Sequence, residues 1–345
     1  MFHEIPLTDL FALQKKESHL IIDVRSPKEF NESTIPGSIN VPVFNDEERA
    51  EVGTIYKQVG AKEASERGLV IFSQKLPAFI SEFKQLETPF TVFCWRGGMR
   101  SKTAATVLDL MGFQVNRLTG GIRTYRQWVA HELEKEEFTP KLIVLNGYTG
   151  SGKTAILKRL SKEGFPVIDL EGMAGHRGSI FGQIGLEPSN QTKFDSLLLT
   201  EMLRYQGEPY VFIEGESKRI GKVGMPQFLY EQKERGLQLV INLPIEVRVQ
   251  NIIDDYRPWE SPQYFKEAFQ LIKKRIHTPV AKQIEVNLDN EDFALATQLL
   301  LEYYYDSKYE YSGSHILEQQ KTIIDAVDIE DAYEKVLYEI KQIAR

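Results

Sequence analysis

Thr91-Val92-Phe93-Cys94-Trp95-Arg96-Gly97-Gly98-Met99-Arg100-Ser101 runs from an apolar stretch into the chain's single cysteine, then through two glycines and two arginines into a helical pattern. A strand ending in cysteine, a tight glycine turn and a helix N-terminus make a cradle. Backbone N–H groups and the positive helix end converge on the sulfur, favour its thiolate and can hold an oxyanion beside it. A lone cysteine is ordinarily buried and inert. The flanking Arg-Gly-Gly-x-Arg-Ser argues for a reactive one, which makes Cys94, Arg96 and Arg100 the first candidate site residues.

Working outward, residues 20–25 (Leu-Ile-Ile-Asp-Val-Arg) read as a short buried strand. Ser26-Pro27-Lys28-Glu29 then starts a helix, with serine as N-cap, proline at the first position and glutamate three after the cap. Residues 35–42 turn into a second strand, and residues 101–111 form the helix after the cysteine, ended by Gly112. Leu118-Thr119-Gly120-Gly121-Ile122-Arg123 and Trp128 close the unit. Alternating strands and helices predict an α/β layer with a parallel sheet over residues 1–131. Residues 45–81 are charged and helix-compatible, mostly a solvated face, and stand as an insertion that could shape substrate entry. The spacing Cys94 to Arg100 is Cys-x5-Arg, wide enough for a tetrahedral phosphate-like group. Two readings stay open on it: a phosphatase, or a chalcogen transferase whose donor is a phosphate derivative. The first needs an aspartic acid to protonate a leaving group, and the sequence offers no clear one.

Residues 132–137 are a charged linker ending at Pro140. Lys141-Leu142-Ile143-Val144-Leu145-Asn146 follows as a strand, and Gly147-Tyr148-Thr149-Gly150-Ser151-Gly152-Lys153-Thr154 is a G-x4-G-K-T loop before a helical pattern. In that context Gly147, Gly150, Ser151 and Gly152 let backbone N–H groups wrap a di- or triphosphate. Lys153 meets the terminal phosphate, and the Thr154 hydroxyl suits Mg²⁺. Residues 167–171, 210–214 and 237–243 read as further strands whose end carboxylates, Asp169, Glu171, Glu214 and Glu216, project over the same edge. His176-Arg177 sits in a glycine-rich loop, residues 172–182, able to close over an anion. Residues 138–345 are thus expected to form a P-loop NTPase-like α/β domain with a helical C-terminal part.

A length of 345 residues, 42% hydrophobic and 26% charged, supports two ordinary globular cores. No apolar segment of about 18 residues and no basic leader is visible, so no membrane contact is expected and the cytoplasm is the default. One cysteine excludes an internal disulfide and any CxxC metal site. A net charge of −7 argues against wrapping nucleic acid over the whole surface, and leaves room for a local basic groove. Lys218, Arg219 and Lys222, and Lys273-Lys274-Arg275 with His277 and Lys282, are its best candidates.

Asp23-Val24-Arg25-x-x-x-Glu29-Phe30, Ile35-Pro36-Gly37-Ser38-Ile39-Asn40-Val41-Pro42, the cysteine loop and Leu118-x-Gly120-Gly121-Ile122 are similar to the successive signatures of rhodanese domains. One departure is the loop, since many single-domain rhodaneses have Cys-x4-Arg. Asp169-Leu170-Glu171-Gly172-Met173-Ala174-Gly175-His176-Arg177 onward to Gly182, the run from Glu214 to Gly221, and Tyr304-Tyr305-Asp306 extend the likeness. Together with Cys94-Trp95-Arg96-Gly97-Gly98-x-Arg100-Ser101, the chain resembles the tRNA 2-selenouridine synthase family over nearly its whole length. The resemblance implies a transferase converting wobble 2-thiouridine of tRNA to 2-selenouridine, by S-geranylation with geranyl diphosphate and then selenation with selenophosphate. It implies diphosphate at the P-loop and selenium on Cys94, with Arg96 and Arg100 on the phosphate oxygens. Competing expectations are a rhodanese-type sulfurtransferase, a Cys-x5-Arg phosphatase fused to a P-loop kinase or ATPase, and a non-catalytic nucleotide sensor.

Overall fold

The computed structural model describes the chain apart from residues 17, 178, 180–181, 183–184, 308–319 and 344–345. It divides into two compact units, Met1–Lys135 with Asp195–Leu199, and the remainder.

The first unit runs β1 (His3–Ile5), α1 (Leu7–Lys16), β2 (Leu20–Asp23), α2 (Pro27–Glu32), β3 (Ile39–Asn40), α3 (Asp46–Gln58), α4 (Ala61–Lys84), β4 (Phe90–Phe93), α5 (Met99–Leu110), β5 (Val115–Leu118) and α6 (Gly121–Glu134). Its five strands pair in parallel in the order β1-β5-β4-β2-β3. Every residue of β4 is buried, because helices cover both faces of the sheet. The period of two sorts the strand residues between the faces. Ile22, Phe90 and Val92 pack with Phe79, Phe83 and Leu108, while Ile21, Phe93 and Leu118 pack with Leu10, Ile122 and Tyr125. The sheet therefore delivers Cys94 to its C-terminal edge from the most buried strand.

The charged insertion is the helical pair α3–α4. Asn45 and Glu48 cap α3 reciprocally, each side chain accepting the other's backbone N–H at 2.8 Å. The charges meet one another in solvent, as in Arg67–Glu51 and Lys75–Glu48 at 2.5 and 2.7 Å, while Ile71, Phe72, Phe79 and Phe83 carry the inner face of α4 into the core.

The second unit contains β6 (Lys141–Gly147), α7 (Lys153–Lys162), β7 (Val167–Ile168), α8 (Leu170–Ala174), α9 (Gln191–Tyr205), β8 (Tyr210–Glu214), the hairpin β9 (Arg219–Ile220) and β10 (Val223–Gly224), α10 (Gln227–Arg235) and β11 (Leu237–Asn242). Then come α11 (Ile245–Tyr256), α12 (Pro262–Ile272), α13 (Thr278–Asp289), α14 (Phe293–Leu300), β12 (Lys321–Asp325) and α15 (Ile329–Ile343). Its parallel sheet has the order β12-β11-β6-β8-β7, with the P-loop strand in the middle.

Two expectations change. The strand expected over residues 167–171 stops at Ile168, because Asp169 caps a helix instead, its carboxylate accepting the Gly172 N–H at 2.7 Å. The C-terminal part is not wholly helical: β12 pairs with β11 from Gln238–Lys321 to Asn242–Asp325. The helical part is real and has its own core, in which Phe265, Phe269, Ile272, Ile284 and Leu300 from α12, α13 and α14 meet Ile252 and Tyr256 of α11. A π-helical turn, Leu301–Tyr305, follows α14. Among the described residues no helix is long and apolar enough to cross a membrane.

Candidate active sites

In the first unit Cys94 stands where β4 ends, with Gly97 in the left-handed region (φ 64°) and Gly98 as N-cap of α5. The thiol is buried. Its Sγ lies 3.1 Å from Ser101 Oγ, in the first turn of α5. Arg117 of β5 donates its Nε–H to that same oxygen at 3.3 Å, and also bonds the Gly97 carbonyl and Glu4. The Ser101 hydroxyl donates to the Gly98 carbonyl at 3.4 Å, and its oxygen accepts from both Arg117 and the Cys94 thiol. Among the described residues no carbonyl or side chain accepts from the N–H of Arg96, Gly97 or Gly98, which leaves those donors to an anion.

The Leu-x-Gly-Gly-Ile stretch forms the lip of this loop. Ile122 N–H donates to the Cys94 carbonyl at 2.9 Å and Arg123 N–H to the Trp95 carbonyl at 3.1 Å. Gly121, at φ 60°, comes so close that an added Cβ would overlap the Cys94 carbonyl oxygen and lie 2.7 Å from the Gly97 nitrogen. Only glycine allows that approach.

The predicted arginines part company. Arg96 is exposed on the loop. Arg100 is half-buried, and its guanidinium is held by both carboxylate oxygens of Glu29, one at 3.1 Å. Burial works to raise Glu29, but Arg100 and Arg49 together hold it below the ordinary carboxylate range. Trp95 is covered by the Arg126 guanidinium at 4.6 Å. Below the loop, Arg25 and Asp23 form a buried pair at 2.7 Å, and Arg25 also donates to the Ser33 carbonyl at 2.6 Å.

In the second unit the P-loop opens on a cavity of about 860 Å³. Of the residues expected there, Gly150, Ser151, Gly152, Lys153, Thr154, Glu171, His176 and Arg177 line it. Gly147 and Glu214 are not among its lining residues. Gly147 serves by shape: at φ 144° a Cβ would meet the Ile241 carbonyl oxygen at 2.5 Å. Glu214 is wholly buried under α8, where it accepts the Leu170 N–H at 2.7 Å. Burial, reinforced by Asp169 and Glu171, pushes it well above the ordinary carboxylate range.

Lys153 Nζ donates to the Gly147 and Tyr148 carbonyls at 2.9 and 3.3 Å, its reach folded back across the loop. Thr154 Oγ1 donates to Glu171 Oε2 at 2.7 Å. Burial and the neighbouring Glu216 raise Glu171 to about 7, against the pull of Thr154 and Lys153. Burial also raises Glu216. Among the described residues Ser151 Oγ is buried without a hydrogen-bond partner, inside the turn that would wrap a phosphate. Burial lowers His176, which packs against Gly221 in the turn of the β9–β10 hairpin. Arg177 pairs with Asp255 at 3.1 Å and lies 4.9 Å over the Tyr256 ring. Gly178, Ile180 and Phe181 of the glycine-rich loop, and Lys308 and Tyr309 beyond the tyrosine run, lie outside the described residues.

Sequence reasoning missed the residues of α11 that hold the P-loop in shape. Asn251 donates to the Gly150 carbonyl at 2.8 Å, and Arg248 to that of Thr149 at 3.0 Å. Arg248 is fixed in turn by Asp306 at 2.6 and 3.0 Å, which gives the Tyr-Tyr-Asp element a physical role. Tyr304 and Tyr305 of the π-helical turn line the same cavity. A narrow apolar slot adjoins it, sharing Thr149, Ile252, Tyr256 and Tyr305 and continuing between Phe265, Phe293 and Leu300. The basic candidates also separate. Lys218, Arg219 and Lys222 are exposed on the hairpin. Lys273 pairs with Glu285 at 2.6 Å, and Arg275 lines the P-loop cavity.

A rhodanese-like domain presenting one cysteine in an anion cradle, on the same chain as a P-loop domain with a helical part, is the class these features define. The Rhodanese-like domain family matches residues 7–128, and the tRNA 2-selenouridine synthase AAA domain family matches residues 140–341. The chain belongs to the tRNA 2-selenouridine synthase family. A protein of that name from Sulfurovum sp. is 32% identical over 343 residues, covering 89% of this chain and 92% of its own. One from Nitrosomonas europaea is 33% identical, with 80% and 74% covered. One from Bdellovibrio bacteriovorus is 36% identical over 68% of this chain, a match that spans 64% of the relative's length.

Proposed function

We propose that the protein converts wobble 2-thiouridine in tRNA to 2-selenouridine in two steps, S-geranylation at the P-loop and selenation at the Cys94 loop. The observation that carries this reading is the pairing of two different anion cradles on one chain, one armed with a thiol and one with a lysine.

In the first step the thiocarbonyl sulfur forms a bond to the allylic carbon of geranyl diphosphate. The carbon–oxygen bond breaks, its electron pair leaves with diphosphate, and the N3 proton of the base is released to water. The P-loop N–H groups and Lys153 stabilise the departing charge. The apolar slot beside the cradle is only about 20 Å³ as it stands, so a hydrocarbon chain would enter it only by parting Phe265, Phe293 and Leu300. Thr154 and Glu171 are the residues that would hold Mg²⁺, which would neutralise diphosphate oxygens.

In the second step selenium replaces the alkylthio group. The C2–Se bond forms, the C2–S bond breaks, and the alkylthiolate leaves with the electron pair. The phosphorus product reports how Cys94 takes part. Transfer of selenium onto the Cys94 sulfur breaks the Se–P bond with the pair on phosphorus, yields phosphite, and after attack on C2 leaves a Cys94 S–Se link that an external thiol must reduce to release the product. Direct displacement by selenophosphate, followed by hydrolysis, yields phosphate. A phosphatase is less well served by this loop, because Glu29, the carboxyl paired with its Arg100, is held ionised by Arg100 and Arg49 and is no proton donor.

The test is incubation of thiolated tRNA with geranyl diphosphate and selenophosphate, followed by nucleoside analysis. Lys153→Ala should stop at 2-thiouridine, and Cys94→Ser should accumulate the geranylated nucleoside. Both variants selenating at the wild-type rate would sink the reading.

A further inference from the structure

The basic run Lys273-Lys274-Arg275 looks from sequence like one patch, and the structure takes it apart. It forms a single 3-10 turn between α12 and α13, pinned on both sides by core residues: Ile272 is 0% and Ile276 6% exposed. Lys273 is spent on Glu285. Arg275 instead lines the P-loop cavity, from the helical part rather than from the sheet. Of the other cations lining the cavity, Arg177 is paired with Asp255 and Lys153 lies on loop carbonyls. Lys158 belongs to α7, the helix that the P-loop itself starts. Among the described residues Arg275 makes no ion pair or side-chain hydrogen bond. The turn is fixed by two buried isoleucines, and its exposed arginine is a planar, permanently charged fork able to meet phosphate oxygens.

We propose that Arg275 is a second clamp on the diphosphate held by the P-loop, facing it from the helical wall and stabilising it as the carbon–oxygen bond breaks. The inference rests on the reading that this cradle takes a diphosphate ester. It assigns Arg275 to the small-molecule site and removes it from the surface that tracks the tRNA backbone. Arg275 makes and breaks no bond and moves no proton. Its work is to share the charge that collects on the leaving oxygen.

The experiment uses the full chain, inorganic pyrophosphate as probe and calorimetry at fixed ionic strength, beside geranylation kinetics on thiolated tRNA. Arg275→Gln is expected to weaken pyrophosphate binding tenfold or more and to lower the geranylation kcat by at least as much. The KM for tRNA and its salt dependence should stay unchanged, and Arg275→Lys should recover part of the loss. Unchanged pyrophosphate affinity in Arg275→Gln, with affinity lost in Lys153→Ala, overturns the clamp and leaves the P-loop reading standing. Unchanged affinity in both variants overturns the two together. A raised KM for tRNA, with the salt slope reduced by about one, would make Arg275 a backbone contact and also overturn the clamp.

Discussion

Gly121→Ala tests whether the cysteine loop is shaped by backbone contact across its lip. Gly121 has φ 60°, and an added methyl would overlap the Cys94 carbonyl oxygen, with the Gly97 and Arg96 nitrogens at 2.7 and 3.1 Å. Two costs follow. A left-handed backbone costs an alanine about 1–2 kcal/mol, and forcing a methyl into filled space costs about 1–3 kcal/mol more. Relief requires the loop to move, which breaks the bond from Ile122 N–H to the Cys94 carbonyl at 2.9 Å. The expected loss is therefore about 2–5 kcal/mol. Gly112→Ala is the internal control: φ is 87°, yet nothing lies within 4 Å of its Cβ, so only the backbone cost of about 1–2 kcal/mol applies. Chemical denaturation of both variants, read by a probe in the first unit, should rank Gly121→Ala well below Gly112→Ala. In the reaction, Gly121→Ala should lose Cys94-dependent selenation while Lys153-dependent geranylation persists. Equal stabilities for the two variants, or wild-type selenation in Gly121→Ala, would refute the packing argument.

Glu171 binds a proton more tightly in the folded chain, since burial raises it from 4.5 to about 7. Its contribution to stability is thus full below about pH 4.5 and is lost as pH rises through 7, a change on the order of 3 kcal/mol. Melting of the ligand-free protein should show a downward slope across that window, flattened in Glu171→Gln. Glu29 has the opposite sign: its stabilisation by Arg100 is present above about pH 4.5 and disappears as pH falls. Glu29→Gln should free Arg100, so that phosphate protects Cys94 from iodoacetamide at several-fold lower concentration. Arg248→Ala strands Asp306 and removes the donor to the Thr149 carbonyl. The cost should be about 2–4 kcal/mol by denaturant titration, with weakened pyrophosphate binding as a second symptom of a slackened P-loop.

Both strand–turn–helix cradles were legible because their information is local. An apolar run, glycines at fixed spacing and a helix start lie within a dozen residues, and each of those glycines but Gly98 has a steric or left-handed backbone reason to be there. What the sequence hid was assembled across distance. Glu29 meets Arg100 from 71 residues away, and Asn251 reaches the Gly150 carbonyl from 101. No motif marks either, because a single asparagine or glutamate on a helix has many possible partners. The strand expected through Glu171 failed for a local reason that was overlooked. Asp169 can cap a helix as readily as end a strand, and Gly172 supplied the N–H that decided it. β12 was missed because a five-residue strand (Lys321–Asp325) with alternating exposure gives a weak signal beside the long helices around it.

The two cradles share one backbone logic and differ in what covers them, and that difference sorts their ligands. Over Cys94 the chain closes to backbone distance: Gly97 and Gly121 both sit where a side chain would collide, and the Cys94 and Trp95 carbonyls are bonded from the far side. Such a loop wraps a tetrahedral anion closely with backbone donors. Over Lys153 the helical part stands back, leaving about 860 Å³ edged by Tyr304 and Tyr305. That space suits a phosphate ester together with the nucleobase that attacks it. A chain that had to perform both steps at one loop would need a pocket both tight enough to orient a selenium donor and wide enough for an isoprenoid and a base. On the proposed reading separate cradles remove the conflict, and variants in either loop should block one nucleoside conversion without slowing the other when each is started from its own substrate, thiolated or geranylated tRNA.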